Sequence, residues 1–264
     1  MKLFMHELKS YQKSLLFWCI GSMFLVIATM TEYGTYSDNQ QINELIKGMP
    51  KSLQALIGSG DLDLSKAIDY FGVIYLYLLV MGAIHALMLG ASIISKEEAE
   101  KTADFLFVKP ITRARVVTIK LSAVFVNIIV FNFVTFATAY MSVQMHTDSA
   151  GIFRDVLTLM IGLLLLQYLF MGAGAAIAAG KKKPKSATGM GTAIVLLLFI
   201  LSILIDINSS LEVLKHVNPF KYFVASDLIH GGELNVSYVI ISVLATIIFV
   251  VLAYLSYNKR DLQA

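Results

Sequence analysis

The sequence predicts an all-α membrane protein with six transmembrane helices. The chain has 264 residues, of which 57% are hydrophobic and only 15% are charged. An ordinary soluble domain is about 25% charged, and the mean hydropathy of this chain is +0.73. Six long stretches contain no Asp, Glu, Lys or Arg, and together they make up half of the chain. This composition excludes a disordered protein and makes a soluble globular enzyme a poor fit.

Each charge-free stretch is long enough to cross a membrane as a helix. A hydrocarbon core about 30 Å thick requires roughly 20 residues at a rise of 1.5 Å each. The stretches are continuously apolar and do not alternate, which favours helices over barrel strands. The alternative, six buried helices in a soluble protein, would need amphipathic helices to cover them, and the sequence offers few. The predicted spans cover residues 15–31, 71–95, 121–143, 156–180, 186–205 and 236–257.

The loop charges predict the orientation of the chain. If the N-terminus lies in the cytoplasm, the inner segments carry 15 basic and 6 acidic residues, and the outer segments carry 6 basic and 12 acidic residues. This is a strong positive-inside bias, and it places both termini in the cytoplasm of a multi-pass cell-membrane protein. The lysine cluster in residues 181–185 is interpreted as an anchor near lipid headgroups and not as a nucleic-acid patch.

Three segments outside the spans have structure of their own. Residues 2–14 predict a short amphipathic helix on the inner leaflet, or simply the frayed start of span 1. In the first outer loop, Pro50 and Gly58 are typical of the start and end of a short helix. Pro219 and the Gly231–Gly232 pair interrupt residues 206–235, which predicts outer re-entrant half-helices before span 6.

The inner loop between spans 2 and 3 is the most informative segment. Glu97 and Lys101 are four residues apart, which supports a helix. Pro110 disfavours helix at the residue before it, and Thr112 can cap the helix that leads into span 3. These features predict a short charged helix over residues 96–109, and the alternative is a solvated loop.

Polar residues within the spans are few. His85, Asn127, Asn132, Gln144 and Gln167 are predicted to form hydrogen bonds between helices. One histidine without an intramembrane carboxylate cannot form a proton relay or a metal site.

Small residues recur every four positions in span 4. Gly172, Ala176 and Gly180 form one row, and Gly174 and Ala178 form a second. This spacing permits close helix packing in lipid.

The sequence lacks the motifs of the common catalytic classes. There is no phosphate-binding G-x-x-x-x-G-K-[ST] motif, so this chain is not expected to hydrolyse ATP by that route. HExxH, CxxC and G-x-S-x-G are also absent. We therefore predict no catalytic residue, no metal site and no cofactor in this chain. Cys19 is the only cysteine, so no internal disulfide can form.

These features together resemble the transmembrane permease subunit of a type-2 ABC exporter, the six-span class. The resemblance covers the whole chain, including the start Lys13–Trp18 and the element Pro219–Phe223, which is similar to a P-F-x-Y-F pattern. The most specific match is to the pattern E-K-E-x-G-T-x-E-F-L-L-x-x-P-x-[ST]-R after span 2. It is carried by Glu98, Glu100, Lys101, Thr102, Asp104, Phe105, Leu106, Pro110, Thr112 and Arg113. The chain departs from it where Lys101 or Ala103 stands in place of Gly, and where Lys109 precedes the proline.

The resemblance implies that residues 1–264 form one permease domain and that residues 96–109 are a coupling helix. This helix would seat in a separate ABC ATPase subunit, which would hold ATP and Mg²⁺. The implied complex has two ATPase copies and two permeases, either a homodimer or a heterodimer with a related permease, in a bacterial membrane. The ATPase-binding residues would be Glu97, Glu98, Glu100, Lys101, Thr102, Asp104, Phe105, Leu106, Lys109, Pro110 and Arg113.

The expected function is export of an amphipathic or hydrophobic substrate, first of all a peptide or antimicrobial toxin. Aromatic and polar residues of span 2 are candidates for the substrate path, with an interfacial aromatic belt as the alternative. They are Tyr70, Phe71, Tyr75, Tyr77 and His85. Competing hypotheses are a permease for a lipid, drug or ion and a non-transporting sensor or immunity component. An intramembrane enzyme or a secondary transporter would need ionisable residues at membrane depth.

Overall fold

The computed structural model describes residues 2–37, 44–46, 48–60, 62–99, 112–147, 149, 151–181 and 185–259. The described secondary structure is entirely helical. Six of the helices are long and apolar enough to cross a membrane, which confirms the predicted fold class. We call them spans 1 to 6: Gln12–Thr31, Ala67–Ala99, Arg113–Gln144, Ile152–Gly180, Lys185–Ile207 and Val236–Lys259.

Several spans are longer than their charge-free stretches. Span 3 begins at Arg113, eight residues before Leu121, because Lys and Arg are good helix formers and do not end a helix. Thr112 caps it as predicted, since its hydroxyl accepts a hydrogen bond from the Arg115 backbone N–H at 3.4 Å. Span 2 continues to Ala99, so the first residues of the predicted coupling helix belong to the same helix as span 2. Residues 100–111 lie outside the described residues.

A short helix, Lys2–Ser10, precedes span 1, as predicted. Phe4 and Leu8 are four residues apart and therefore share one face of this helix. They pack, together with Tyr11, on the apolar cluster that contains Val117 and Leu121 of span 3. The opposite face is polar, and the helix therefore lies across the first turns of span 3.

The bundle has three central and three peripheral helices. Spans 2, 3 and 4 are mostly buried, whereas spans 1, 5 and 6 expose most of their surface. The exposed residues of these outer helices include Phe24, Leu197 and Ile248. Such a surface is suited to contact with lipid tails or with other membrane-embedded helices.

The closest helix contact lies between spans 2 and 4, the pair with the most extensive contact. A β-carbon at Gly90 would overlap the Met171 carbonyl oxygen, and one at Gly174 would overlap the Leu87 carbonyl oxygen. Gly172 faces span 6 instead, where an added β-carbon would lie 3.1 Å from Phe249 Cβ. One predicted row of small residues thus packs on span 2, and the first residue of the other packs on span 6.

The two ends of the bundle differ in charge. We call the end that carries helix Lys2–Ser10, the end of span 2, the start of span 3 and the end of span 6 the basic end. Three contacts join these elements: Lys96 to Glu7, Lys120 to Ile93, and Arg113 to Asn258.

A short helix lies at the opposite end of the bundle. This helix, Lys51–Ile57, follows Pro50 and ends at Gly58, which has a left-handed φ of +79°, as predicted.

The segment before span 6 forms a cap on that opposite end. It consists of two 3-10 helices, Ser209–His216 and Pro219–Lys221, and a four-residue α-helix, Ala225–Leu228. Phe220 packs between Phe170 of span 4 and Phe199 of span 5, with ring centroids 5.6 and 5.8 Å away. Because Phe199 lies eight residues before the end of span 5, the segment reaches about 12 Å back along that helix.

Candidate functional site

The helix ends on either side of residues 100–111 are tied to neighbouring helices at the basic end. Lys96, near the end of span 2, donates to the Glu7 carboxylate at 3.1 Å and to the Ser10 hydroxyl at 3.0 Å. Its Nζ also lies 5.7 Å from the centre of the Tyr11 ring. The Glu7 side chain is 2% exposed and that of Lys96 is 13% exposed. Helix Lys2–Ser10 is therefore tied to span 2 immediately before residues 100–111.

The start of span 3 is tied to the same place. Lys120 is fully buried, and its Nζ donates to the Ile93 carbonyl of span 2 at 2.5 Å. Arg113 donates through Nη1 to the Asn258 carbonyl of span 6 at 3.3 Å. A buried lysine must be compensated by hydrogen bonds or opposite charge. These contacts make the ends of spans 2, 3 and 6 one connected platform.

Most of the predicted ATPase-binding residues lie outside the described residues. This applies to Glu100, Lys101, Thr102, Asp104, Phe105, Leu106, Lys109 and Pro110. Glu97 and Glu98 lie in the last turn of span 2, where Glu98 is half-buried, and Arg113 is the first residue of span 3. The structure thus places the two helix ends from which the segment extends.

The structure separates the residues predicted for the substrate path. Tyr70 donates to the Thr29 carbonyl of span 1 at 3.2 Å, at the end opposite the basic end. Phe71 and Tyr75 are fully buried, and an added β-carbon at Gly162 of span 4 would lie 2.8 Å from the Tyr75 hydroxyl. Tyr77 is 44% exposed and points away from that core. Their assignment to a substrate path stays a prediction.

His85 lies in an aromatic box between three spans. It is fully buried, with the Trp18 ring of span 1 at 5.2 Å and the Phe131 ring of span 3 at 4.8 Å between centroids. Neither ring nitrogen has a hydrogen-bond partner among the described residues. Buried polar groups without partners are rare in folded proteins, so His85 is an exception in this core.

A layer of hydrogen-bonded polar side chains crosses the middle of the bundle. Asn132 of span 3 donates to Gln167 of span 4, and Gln167 Nε2 lies 3.5 Å from the Gly82 carbonyl of span 2. Beside them, Thr135 of span 3 donates to the Ser22 hydroxyl of span 1 at 3.1 Å. We call Ser22, Asn132, Thr135 and Gln167 the mid-membrane polar layer. It links all three central spans and span 1.

The predicted hydrogen bonds between helices are realised at only some positions. Asn132 and Gln167 make one, as expected. Asn127 instead donates to the Ala123 carbonyl of its own helix at 2.8 Å, and Gln144 is exposed at the end of span 3. An amide can satisfy its donors on the preceding turn of its own helix, so its presence in a span does not by itself require a partner helix.

Sequence reasoning missed Ser22, Thr135 and Lys120 as members of these clusters. Ser and Thr are common in membrane helices, and only the position of Thr135 one turn from Asn132 hints at a shared layer. Lys120 borders a charge-free stretch, and the charge pattern gives no sign that its side chain is buried. The part of the chain that the structure describes contains no group of three or more His, Cys, Asp or Glu that could hold a metal ion.

The cap at the opposite end is held by polar contacts. Lys221 donates to Asp206 at the end of span 5, and Asn218 donates to the Leu198 carbonyl at 2.8 Å. Tyr222 donates to the His216 carbonyl at 2.6 Å and stacks on Tyr238 of span 6 at 4.8 Å. Burial, together with the neighbouring Tyr238, raises the pKa of the Tyr222 hydroxyl.

Comparison with known proteins agrees with this architecture. The family model described as "ABC-2 family transporter protein" matches residues 1–262. No curated protein matches the chain. Proteins of this family are multi-pass membrane transport components that work with an ABC ATPase and are not themselves the catalytic ATPase. Because the match extends over nearly the whole chain and the six spans agree with it, this chain belongs to the ABC-2 transporter family and is a membrane permease of an ABC transporter.

Proposed function

We propose that residues 1–264 form one permease domain of an ATP-driven exporter and that residues 96–109 dock into the ATPase subunit. We call residues 96–109 the docking segment. The observation that carries this proposal is that the helix of span 2, Ala67–Ala99, includes the first four residues of this segment. Along the chain the segment connects this helix to the capped start of span 3. A displacement of the segment is therefore applied directly to the two helix ends.

The contacts among the central spans would carry that displacement into the membrane. Spans 2 and 4 approach backbone to backbone at Gly90 and Gly174, and Lys120 ties span 3 to span 2. Three helices with such contacts move as a body more easily than they separate, because close-packed interiors resist local deformation. The peripheral spans 1, 5 and 6 expose most of their surface and are free to change partners. Export then follows if the permease alternates between two conformations that have different affinities for the substrate.

The proposed assembly has two ATPase subunits and two permease subunits, with both termini of this chain in the cytoplasm. The proposed substrate is an amphipathic peptide or toxin. The Ser22–Thr135 pair of the mid-membrane polar layer supports an amphipathic substrate, because movement of the peripheral span 1 would free the Thr135 hydroxyl for a polar group at that depth.

The docking of residues 96–109 can be tested by co-purification with the cognate ABC ATPase. Phe105→Ala and the reversal Glu98→Lys should reduce recovery of the ATPase at least fivefold and should abolish stimulation of its ATP hydrolysis. Phe153→Ala is the matched control, because Phe153 is 51% exposed at the opposite end. Unchanged recovery and stimulation in both docking variants would contradict the assignment. Stimulation of ATP hydrolysis by a panel of amphipathic peptides, lipids and drugs then tests the substrate class.

A further inference from the structure

A crevice of about 510 Å³ opens on the side of the bundle between spans 3, 4 and 6. Its walls are almost entirely apolar. Phe125 of span 3 stacks on Tyr168 of span 4 with ring centroids 4.4 Å apart, and both rings line the crevice. Phe4 of the N-terminal helix reaches the crevice as well. The crevice therefore lies in the half of the bundle nearer the basic end.

The length of the crevice matches one leaflet of a bilayer. On span 3 it extends from Thr118 to Val126, and on span 6 from Val243 to Tyr254. At 1.5 Å per residue these ranges correspond to about 12 and 16 Å. Half of a hydrocarbon core is about 15 Å. A groove of this depth with apolar walls is suited to a single hydrocarbon chain lying parallel to the helices.

The mouth of the crevice is polar and then basic. Thr118 accepts a hydrogen bond from the Tyr254 hydroxyl at 2.8 Å, which joins spans 3 and 6 at this level. Arg115 is exposed about one turn nearer the start of span 3, on the face that carries Thr118 and Ser122. Arg113, the first residue of span 3, donates to the Asn258 carbonyl near the end of span 6 at 3.3 Å, so it lies between these two helices at the same end. A phosphate at this level would meet the positive charges of Arg115 and Arg113.

We propose that this crevice is a binding site for an anionic phospholipid of the leaflet at the basic end. One acyl chain lies in the apolar crevice between spans 3, 4 and 6, and the phosphate is held by Arg115. The proposal follows from two independent features: an apolar groove one leaflet deep and a concentration of positive charge at its mouth. The bound lipid fills the space between span 6 and the central spans and so stabilises the position of this peripheral helix.

The test measures lipid binding to the purified full-length protein by native mass spectrometry. Phosphatidylglycerol and phosphatidylcholine with identical acyl chains are added to delipidated protein. We expect phosphatidylglycerol to bind the wild type more tightly. Arg115→Gln should weaken this binding about fivefold, which corresponds to one basic contact near a membrane surface, whereas Arg154→Gln at the opposite end should not change it. Equal binding of the two lipids, or an Arg115→Gln variant that binds as the wild type does, would overturn the headgroup assignment.

A second pair of variants tests the crevice itself. Val126→Phe fills it, whereas Val130→Phe introduces the same side chain one turn along span 3 at an exposed position outside the crevice. Val126→Phe should reduce binding of both lipids at least fivefold, and Val130→Phe should leave it unchanged. If Val126→Phe does not fold, Val243→Phe with Val251→Phe as its control repeats the test from span 6. Equal binding by the filled and control variants would overturn the proposal.

Tyr168→Phe tests whether an acyl chain is what lies beside this ring. The Tyr168 hydroxyl has no hydrogen-bond partner among the described residues, and an acyl chain offers none. Phosphatidylglycerol binding should therefore be the same in Tyr168→Phe and in the wild type. A loss of this binding would show that a polar part of the lipid contacts the Tyr168 hydroxyl and would overturn the placement of the acyl chain in the crevice.

Discussion

Gly90 of span 2 and Gly174 of span 4 face each other's helix backbones across one crossing. A β-carbon at Gly90 would lie 3.0 Å from the Met171 carbonyl carbon, and one at Gly174 would lie 3.0 Å from that of Leu87. Both neighbours are main-chain atoms, which cannot rotate aside as a side chain can. The crossing therefore requires glycine at both positions, and it fixes the distance between the two most extensively packed spans.

We expect Gly90→Ala and Gly174→Ala each to lower the free energy of unfolding by about 1–3 kcal/mol, the range of overpacked substitutions. The measurement is thermal unfolding of the purified protein in detergent. Gly189→Ala in span 5 is the control, because no atom outside its own helix lies within 4 Å of the added methyl group. This control should be neutral or slightly stabilising, since alanine favours helix. Equal stability of all three variants would contradict the close crossing.

The ion pair between Glu7 and Lys96 should stabilise the platform beside the docking segment. Both side chains are largely buried, so Glu7→Gln should lower the free energy of unfolding by roughly 1.5–3 kcal/mol, as expected for a hydrogen bond between charged groups. Lys96→Met should do the same, and the double variant should lose less than the sum of the two. Thermal unfolding of the four proteins measures this coupling.

The exposed pair Arg154–Glu233 provides the control for that cycle. Its side chains are 62% and 83% exposed, and such pairs contribute about 0.2–1 kcal/mol because solvent screens them. Arg154→Gln should therefore change stability much less than Glu7→Gln. Additive effects of the Glu7 and Lys96 substitutions would show that the two side chains do not interact in solution.

The hydrogen bond between Asn132 and Gln167 should stabilise the mid-membrane polar layer. Replacement of Gln167 by Leu leaves Asn132 without its partner on span 4. Hydrogen bonds between membrane helices contribute about 0.6–2 kcal/mol, and we expect a loss of that size in thermal unfolding. Gln144→Leu, at an exposed helix end, should have little effect. A stabilised Gln167→Leu variant would argue that the amide is kept for transport and not for folding.

The positions of the spans could be predicted from the sequence, because a helix that crosses the membrane needs about 20 consecutive apolar residues. Charge-free stretches located all six helices, and Thr112 and Pro50 located helix starts. The ends were less accurate: Arg113, Arg115 and Lys120 interrupt the apolar stretch but continue the helix. The ends of a helix depend on the helix propensity of its residues, whereas the ends of a charge-free stretch depend on the thickness of the membrane.

The contacts between side chains on different helices could not be predicted from the sequence in the same way. Which face of span 2 meets span 4 is decided by Gly90 and Gly174 together, and only one of these glycines stood in a recognisable row. His85 was identified as unusual because it is a histidine in a span, but its neighbours Trp18 and Phe131 come from distant parts of the sequence. Contacts between residues so far apart depend on the three-dimensional packing of all the helices.

The raised pKa of Tyr222 predicts a loss of stability at high pH. Burial and the neighbouring Tyr238 hold this hydroxyl protonated above its ordinary value of 10.0. The native state therefore retains its proton where the unfolded state has lost it, so the stabilisation is complete below about pH 10 and decreases as the pH rises. Tyr222→Phe should flatten the decline of the unfolding temperature as the pH rises above about 10. It should also lose about 1 kcal/mol at neutral pH, because its hydrogen bond to the His216 carbonyl is gone.

A parallel experiment on Tyr238→Phe separates the two causes. This variant keeps the burial of Tyr222 and its hydrogen bond but removes the neighbouring hydroxyl. The decline of its unfolding temperature at high pH should be intermediate between those of the wild type and Tyr222→Phe. The reason is that burial contributes more than Tyr238 to the raised pKa of Tyr222. An unchanged slope in Tyr222→Phe would show that other groups cause the alkaline decline.

The predicted orientation can be tested with single cysteines, because the chain has only one of its own. Cys19 is buried in span 1, and Cys19→Ser gives a cysteine-free background. Val213 and Glu233 are 79% and 83% exposed in the cap, and His6 and Asn258 are exposed at the basic end. In intact spheroplasts, a membrane-impermeant maleimide should label cysteines placed at Val213 and Glu233. Cysteines at His6 and Asn258 should react only after permeabilisation. The opposite pattern would reverse the orientation and place the docking segment outside the cell, where no ATP-hydrolysing partner could reach it.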